Sequence, residues 1–275
     1  MKRTSLRARL LSAPYIVWAA IFIVVPLFIV VYYAFTDRSG VFSLSNITAL
    51  ADYKDTFIIS VWYSVIATVI TLVIAYPFAY ALSRFGANTQ RMMMLLVMLP
   101  MWMNLLIRTY SWMNILERNG IINNVLAGFG IEPLKMIGTP GAVILGMVYN
   151  YLPYMILPIY TVMSKLDITL LEAADDLGAN AFQRLRTLVI PLSMPGVISG
   201  ITMVFVPSVS TFYISQKLGG GKIMLIGDAI ERQIQQQYNY NLGASISLVL
   251  MVMILISMAI MNRFASDDAE RLVVL

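Results

Sequence analysis

The chain has 275 residues, of which 59% are hydrophobic and only 12% are charged. Soluble domains carry about 25% charged residues, so this composition predicts a membrane protein. The absence of cysteine excludes disulfides and thiolate metal sites, and the absence of histidine removes the commonest general base. The charges behind the formal net charge of +5 lie between apolar stretches, where they report membrane orientation and not nucleic-acid binding.

Six apolar stretches are long enough to cross a bilayer, because each would form a helix about 30 to 40 Å long. They cover residues 14–35, 57–83, 92–116, 140–164, 190–215 and 243–262. The first follows four basic residues, but its apolar run is longer than the core of a signal peptide, so it predicts a retained anchor. The expected fold is an all-α integral membrane protein with about six transmembrane helices.

The distribution of basic residues predicts the orientation of the chain. A cytoplasmic N-terminus places 11 of the 19 Lys and Arg residues inside and seven outside, with Arg108 within a span. Both termini and the segment 165–189 would then be cytoplasmic. The expected organisation is a first region, 1–56, with the anchor helix and an outer segment, then a transmembrane core, 57–264, and a cytoplasmic tail, 265–275.

A polar island at residues 171–195 separates the fourth and fifth spans. Helical periodicity places Leu170, Ala174 and Leu177 on one face of a short helix. Gly178 is typical of a helix stop, and Asn180 is a good N-cap for a second helix. Periodicity alone leaves two interpretations open: a compact docking element for a cytoplasmic protein, or an ordinary amphipathic helix on the lipid surface.

The sequence Glu172-Ala173-Ala174, followed after three residues by Gly178 and then by Ile190-Pro191, resembles the EAA loop of permease subunits of type I ABC importers. The family pattern ends in Ile-x-Leu-Pro, and here Leu188 and Ile190 replace its Ile and Leu. The resemblance implies that the segment 165–189 contains a coupling helix, which docks in a cleft of a cytoplasmic ATPase.

The same resemblance implies the partners and the location. A second homologous permease subunit, two cytoplasmic ATPase subunits and an extracytoplasmic solute-binding protein would complete a complex in the bacterial cytoplasmic membrane. ATP and Mg²⁺ would be bound by the ATPase subunits, and this chain would hold no cofactor, no metal and no catalytic site. It would move solute by alternating access as a transport subunit and not as an enzyme.

Further stretches are similar to permease subunits of spermidine/putrescine importers. They read AYPFAYALSR, WMNLLIRTYSW, YNYLPYMILPIY, KLDITLLEAADDLGA and FYISQKLGGGK, starting at residues 75, 102, 149, 165 and 212. These stretches are less diagnostic than the EAA loop, because permeases for phosphonates or other nitrogen compounds are related. A polyamine is therefore the expected solute, with another small polar solute as the alternative.

Candidate pathway residues are one cation and several aromatic side chains. Arg108 lies inside the third span, where an ionisable residue faces a cavity or a partner, or simply organises the structure. The rings of Tyr149, Tyr154, Phe212 and Tyr213 offer cation–π faces to an ammonium group, with packing or an interfacial belt as the alternative.

Two other functions are weaker predictions. An ion-coupled carrier usually places ionisable groups near the membrane midplane, where this chain offers only Arg108. The segment ending in Gly219-Gly220-Gly221-Lys222 is not a phosphate-binding P-loop, because Gln216 and Ile223 stand where that motif needs Gly and Ser or Thr. An intramembrane enzyme would lack the usual catalytic side chains.

Overall fold

The computed structural model describes the backbone of residues 14–273 and the side chains of residues 14–263. The basic residues Lys2, Arg3, Arg7 and Arg9, on which part of the predicted orientation depends, lie outside the described residues. The described chain is organised as helices, with an isolated antiparallel bridge between Thr36 and Phe42. The predicted all-α fold is confirmed.

Eleven helices are numbered here in chain order. They are α1 (Pro14–Ala34), α2 (Lys54–Ser83), α3 (Ala87–Trp102), α4 (Leu105–Leu116), α5 (Ile121–Gly128), α6 (Pro140–Met163), α7 (Ile168–Asp176), α8 (Ala181–Val209), α9 (Tyr213–Leu218), α10 (Ile226–Glu231) and α11 (Tyr240–Val273). Two short helical turns, Ser45–Thr48 and Ala49–Tyr53, precede α2, and the π-helical turn Arg232–Gln236 follows α10.

The described residues contain five helices that are long and apolar enough to cross a membrane. A sixth crossing is formed only if α3 and the stretch Leu105–Gly128 count together as one broken span, since they are bent by 91°. The prediction of a single helix over 92–116 was therefore wrong. Asn104 explains the break, because its Oδ1 accepts a hydrogen bond from the Leu106 N–H at 2.7 Å and starts a new helix inside the apolar stretch.

The fifth predicted span also differs from the structure. The helix α8 begins at Ala181 and ends at Val209, so the predicted end at residue 215 was too late. After α8 the chain passes close to Gly227, where an added Cβ would lie 2.5 Å from the carbonyl oxygens of Ser210 and Thr211. Phe212 is the N-cap of α9 and Tyr213 is its first residue, so neither belongs to α8.

The described chain divides into two compact units. One contains residues 14–55 and Ala229–Val252. Within α1, burial is confined to Ala34, so almost the whole surface of this helix is free of contact with its own chain. The end of α1 is fixed by Asn241, whose Nδ2 donates to the carbonyl oxygen of Thr36 at 2.7 Å, and by Ser245, whose Oγ donates to that of Ala34 at 3.1 Å.

The other unit contains Thr56–Asp228 and residues 253–273, and its centre is the pair of helices α6 and α8. A Cβ at Gly196 of α8 would lie 2.8 Å from the Pro158 carbonyl oxygen of α6. A Cβ at Gly200 would lie 2.6 Å from the Met155 sulfur. Small residues thus let the two backbones approach closely, which is how membrane helices gain packing without a hydrophobic driving force.

The helix α2 carries a buried polar stripe in an otherwise apolar span. The hydroxyl groups of Ser60, Ser64, Thr68 and Thr71 each donate to the carbonyl oxygen four residues earlier at 2.6–2.7 Å. Ser60 Oγ also accepts the Ile226 N–H at 2.9 Å. These bonds satisfy the hydroxyl groups locally, so the stripe can be buried in the apolar interior.

Candidate functional site

The helix α7 carries the Glu-Ala-Ala pattern, and local hydrogen bonds define both of its ends. At its start, Asp167 Oδ1 accepts the Thr169 N–H at 3.0 Å. At its end, Gly178 has φ +79°, its N–H donates to the Asp175 carbonyl oxygen at 2.9 Å, and the Ala179 N–H donates to that of Ala174 at 3.0 Å. These two hydrogen bonds, together with the left-handed conformation of Gly178, form a Schellman cap. The predicted helix stop at Gly178 is confirmed.

The connection from α7 to α8 is also fixed by local contacts. Asn180 and Gln183 form a capping box, in which each side chain accepts the backbone N–H of the other residue at 2.9 Å. This confirms Asn180 as the predicted N-cap. Arg184 Nη1 donates to Asp175 Oδ1 at 2.7 Å and so bridges the two helices. The segment 167–184 is therefore a defined helix–turn–helix.

The buried face of α7 includes only Ala174 of the three residues that periodicity places on one helical face. Leu171 and Ala174 are buried, and Leu171 packs in an apolar cluster with Met163 and Val189. Leu170 is 47% exposed and Leu177 is 89% exposed, because packing against the rest of the chain selects the adjacent helical face. Glu172 and Ala173 are exposed, whereas Ala174 faces inward.

An exposed surface on this segment is available to another protein. It is defined by the exposed apolar and small side chains on and around α7, with Glu172 among them. We call it the docking surface, and its members are Ile168, Leu170, Glu172, Ala173, Leu177 and Phe182. Exposed apolar side chains of this kind mark contact with another protein or with the lipid surface, the two interpretations that periodicity leaves open.

Arg108 lies on α4 and is only 8% exposed. Its Nε and Nη1 atoms are buried and make no hydrogen bond within the described chain. Burial of a guanidinium without acceptors is costly, so this side chain needs water or a group from another subunit to complete its hydrogen bonds. Whether Arg108 belongs to the solute pathway stays a prediction.

Tyr213 lies next to a cation of its own chain. Its ring and the Tyr110 ring of α4 are T-shaped, with centroids 6.3 Å apart. Lys217, one turn further along α9, places Nζ 5.2 Å from the Tyr110 centroid and 5.7 Å from the Tyr213 centroid. Both distances lie within the range of cation–π attraction. Two tyrosine faces thus hold one ammonium group.

The other predicted aromatic residues are found in separate pairs. Tyr149 contacts Trp112 with centroids 5.2 Å apart, and Tyr154 contacts Tyr151 with centroids 6.4 Å apart. Phe212 is 43% exposed at the start of α9. The structure therefore brings Tyr213 to a cation but does not gather the predicted aromatic residues into one cluster.

Two residues of this arrangement, Tyr110 and Lys217, are not among the candidates predicted from the sequence. A signal for Lys217 was present, because it follows Tyr213 at the i, i+4 spacing that places two side chains on one helical face. Tyr110 gave no such signal, since it lies on a different helix.

Among the described residues, no group of three or more acidic side chains is close enough to hold a metal ion.

Comparison with known proteins places the chain in a family. A family model described as the binding-protein-dependent transport system inner membrane component matches residues 75–266. The chain is 37% identical over 228 residues to the spermidine/putrescine transport system permease protein PotB of Haemophilus influenzae, which covers 78% of this chain and 79% of that protein. It is 35% identical over 226 residues to PotB of Escherichia coli, covering 78% and 82%.

A solved structure has the same fold. The crystal structure of a bacterial ABC transporter involved in the import of the acidic polysaccharide alginate contains a chain that superposes with a TM-score of 0.77. The alignment covers 94% of both chains at 15% sequence identity. The type I permease fold and the family predicted from the Glu-Ala-Ala pattern are thereby confirmed. The chain belongs to the inner-membrane permease components of binding-protein-dependent ABC transport systems.

Proposed function

We propose that this chain is the translocating subunit of an importer for spermidine, putrescine or a closely related polyamine. It pairs with a second permease subunit, receives solute from an extracytoplasmic binding protein and is driven by two cytoplasmic ATPase subunits. ATP and Mg²⁺ belong to those ATPase subunits.

The observation that carries the coupling role is the geometry of α7. Its two caps hold the helix rigid without help from a partner, and its outer face presents Glu172 and Ala173. A helix whose internal hydrogen bonds stay formed moves as a rigid body, so a displacement at its outer face is passed on to the spans on either side. When the ATPase subunits close on ATP, they move this helix and switch the pathway from inward-facing to outward-facing.

The role of α7 requires a cytoplasmic position, which supports an orientation with both termini inside. The same orientation agrees with the excess of Lys and Arg on that side. In this arrangement α9 and the glycine-rich turn after it lie toward the outer side, where solute arrives. The transmembrane core 57–264 carries the pathway, and the first region 1–56 anchors the subunit.

The proposed substrate class has two supports. The relatives at 35–37% identity are named for spermidine and putrescine. In addition, Tyr110 and Tyr213 hold an ammonium group in this chain, which is the charged group of every polyamine.

The experiment uses the complete importer in proteoliposomes, with ATP inside and binding protein outside. Spermidine and putrescine are expected to be taken up and to stimulate ATP hydrolysis, while a phosphonate has no effect. Stimulation by the phosphonate alone would contradict the polyamine assignment and leave the coupling role standing.

The chain contains no cysteine, so a single introduced cysteine can test docking and sidedness together. Leu177→Cys places a thiol at a position that is 89% exposed. A membrane-impermeant maleimide should label it from the cytoplasmic side only, and bound ATPase subunits should slow the labelling. Glu132→Cys, at an exposed position of the opposite loop, is the control and should be labelled from outside. Labelling of Leu177→Cys from outside would refute the orientation.

A further inference from the structure

The chain between α4 and α6 encloses a cleft of about 480 Å³. Two stretches line it, residues 116–118 and residues 133 and 135–137. Asn123 of α5, which is 1% exposed, holds these stretches together. Its Nδ2 donates to the carbonyl oxygens of Glu117 and Leu134, each at 3.0 Å, and its Oδ1 accepts the Leu134 N–H at 2.8 Å. Buried hydrogen bonds therefore fix the shape of the cleft.

Three cations meet at this cleft, which we call the basic cleft. Arg118 and Lys135 line it, and Lys222 lies beside Lys135. The turn that carries Lys222 is held in place by the Gly138 N–H, which donates to the Leu218 carbonyl oxygen at 2.9 Å. A Cβ at Gly138 would lie 3.6 Å from Cδ of Lys222. All three cationic side chains are exposed, so an anionic group outside the chain can reach them.

The positive charge of the basic cleft is not neutralised by its own chain. The pKa of the Lys135 ammonium is lowered, first because its side chain hydrogen-bonds with that of Lys222 and then because of the Lys222 charge. Neither lysine, nor Arg118, forms an ion pair within the described chain. Glu117 lines the cleft and Glu132 precedes it in the sequence, but neither is paired with these cations. An anion between the two lysines would relieve their repulsion.

A row of exposed apolar side chains lies beside the basic cleft. It runs along α5 and the loop that follows, and we call it the outer stripe: Ile121, Val125, Phe129, Ile131 and Leu134. Ile121 and Val125 are one helical turn apart on the exposed face of α5, whereas Asn123 on another face is buried. Because the span α6 begins at Pro140, only a few residues later, the outer stripe lies near the end of a span.

The combination of the two features selects the kind of ligand. Amphipathic helices with cations beside apolar side chains lie in the boundary between water and lipid. At that level acyl chains cover exposed apolar side chains, and lipid phosphates attract Lys and Arg. An acidic protein surface accounts for the cations alone, whereas an anionic phospholipid accounts for both features.

We propose that the basic cleft binds the phosphate group of an anionic phospholipid of the outer leaflet, and that the outer stripe contacts the surrounding acyl chains. The inference rests on the proposed orientation of the chain and not on the identity of the solute. The Arg118 guanidinium donates to the phosphate oxygens, and Lys135 and Lys222 flank them. The bound lipid holds the segment between α4 and α6 at the membrane surface.

The first test uses the assembled importer in phosphatidylcholine nanodiscs that contain a small fraction of phosphatidylglycerol with a photoreactive head group. After illumination, the lipid attached to residues 116–138 is quantified by peptide mass spectrometry. Lys135→Gln and Lys222→Gln together should lower this labelling about tenfold, because two cations next to an anionic group are lost. Unlabelled phosphatidylglycerol should compete for the site, and inorganic phosphate should not.

Lys54→Gln is the matched control, because Lys54 is an exposed lysine at the start of α2 and does not line the basic cleft. It should leave the labelling unchanged. A loss equal to that of the double variant would overturn the inference, because the effect would then follow the overall charge. Competition by inorganic phosphate would also overturn it, since the cleft would then be a site for a soluble anion.

The second test examines the outer stripe. The chain has no cysteine, so a nitroxide can be attached at one chosen position in an importer whose other subunits lack cysteine. At Phe129→Cys, where the native side chain is 78% exposed, dissolved oxygen should relax the nitroxide more than a water-soluble nickel complex does. Asn119→Cys, at an exposed polar position before α5, is the control and should show the opposite preference. A nitroxide in water at Phe129→Cys would contradict the contact with acyl chains.

The outcomes are separate from those of the polyamine proposal. Lipid labelling needs neither solute nor ATP, so an importer that fails to carry spermidine leaves this inference standing. If the double lysine variant weakens binding of the solute-binding protein while lipid labelling stays at the wild-type level, the cleft belongs to that protein and the inference is overturned. The orientation on which it rests is tested independently by the labelling of Leu177→Cys.

Discussion

The helix α7 and the packed pair α6–α8 are stabilised in opposite ways. The ends of α7 are held by residues within a few positions of each other, at Asp167 and Gly178, and much of its outer surface is exposed. The pair α6–α8 is held by contacts between residues far apart in the chain, such as Gly196 with Pro158. A change on the outer face of α7 can therefore alter function without unfolding, whereas a change between α6 and α8 alters folding first.

The largest effect is expected at the helix pair. Gly196→Ala would place a methyl group 2.8 Å from the Pro158 carbonyl oxygen, and the backbone of α6 cannot give way as a flexible side chain could. The expected cost is about 1–3 kcal/mol of unfolding free energy. It is measured as a lower midpoint of thermal unfolding in detergent.

Gly128→Ala is the matched control for this variant, because an added Cβ at Gly128 meets nothing within 4 Å. Gly128 is the last residue of α5, where alanine is a good helix former. This variant should not lower the midpoint. Equal midpoints for Gly196→Ala and Gly128→Ala would show that close packing of α6 on α8 is not what stabilises this unit.

The second effect concerns transport and not stability. Glu172→Lys reverses a charge on the docking surface, and like charges across an interface disfavour docking. Polyamine uptake by the complete importer should fall at least about tenfold, or about 1.4 kcal/mol. The unfolding midpoint of the subunit should not change, since Glu172 is exposed and makes no ion pair within the described chain.

Glu132→Lys makes the same charge reversal at an exposed position away from the docking surface. Uptake by this variant should match that of the wild type. Should both reversals lower uptake equally, the loss would report the change in net charge, and the docking role of α7 would have to be abandoned.

The smallest effect is a pH dependence at the start of α7. The pKa of the Asp167 carboxyl is lowered because the backbone N–H of Thr169, and then its hydroxyl group, donate hydrogen bonds to it. A lowered folded-state pKa means that this cap stabilises α7 fully above the unfolded-state pKa of about 4. The stabilisation is lost as the pH falls through the folded-state value.

Hydrogen exchange of the first α7 amides measures this effect. After correction for intrinsic rates, their protection in the wild type should fall as the pH is lowered below about 4. Asp167→Asn keeps a good N-cap acceptor that does not titrate, so its protection should not follow the pH in this way. A pH-independent protection in the wild type would contradict the assigned cap.

Much of the segment 167–184 was predictable from sequence because its determinants are local. The roles of Gly178 and Asn180 depend on backbone groups within five residues, and each residue type has a strong preference for that position. The inner face of α7 was not predictable in the same way. Periodicity allows either of two adjacent faces of α7 to be buried. Packing against Met163 and Val189 decides that Leu171 is buried while Leu170 and Leu177 are exposed.

The broken third span shows a different limit. The stretch 92–116 is apolar throughout and contains Pro100, which membrane helices tolerate, so hydropathy predicts one helix. The break depends on one hydrogen bond from the Leu106 N–H to the Asn104 side chain, in a stretch where an intact helix is equally compatible with the composition. Hydropathy averages over many residues and does not resolve a single cap.

The amino-acid sequence by itself determined that this is a membrane protein, where its approximate spans lie and where the EAA segment lies. The reason is that transfer of apolar side chains from water into the bilayer, and the capping of helix ends, depend on short stretches of chain. Only the tertiary structure decided that Tyr110 faces Tyr213 and that Lys217 lies over both rings. These contacts join helices that are distant in sequence. Their partners are fixed by how α4 and α9 pack, and periodicity along either helix carries no information about the other.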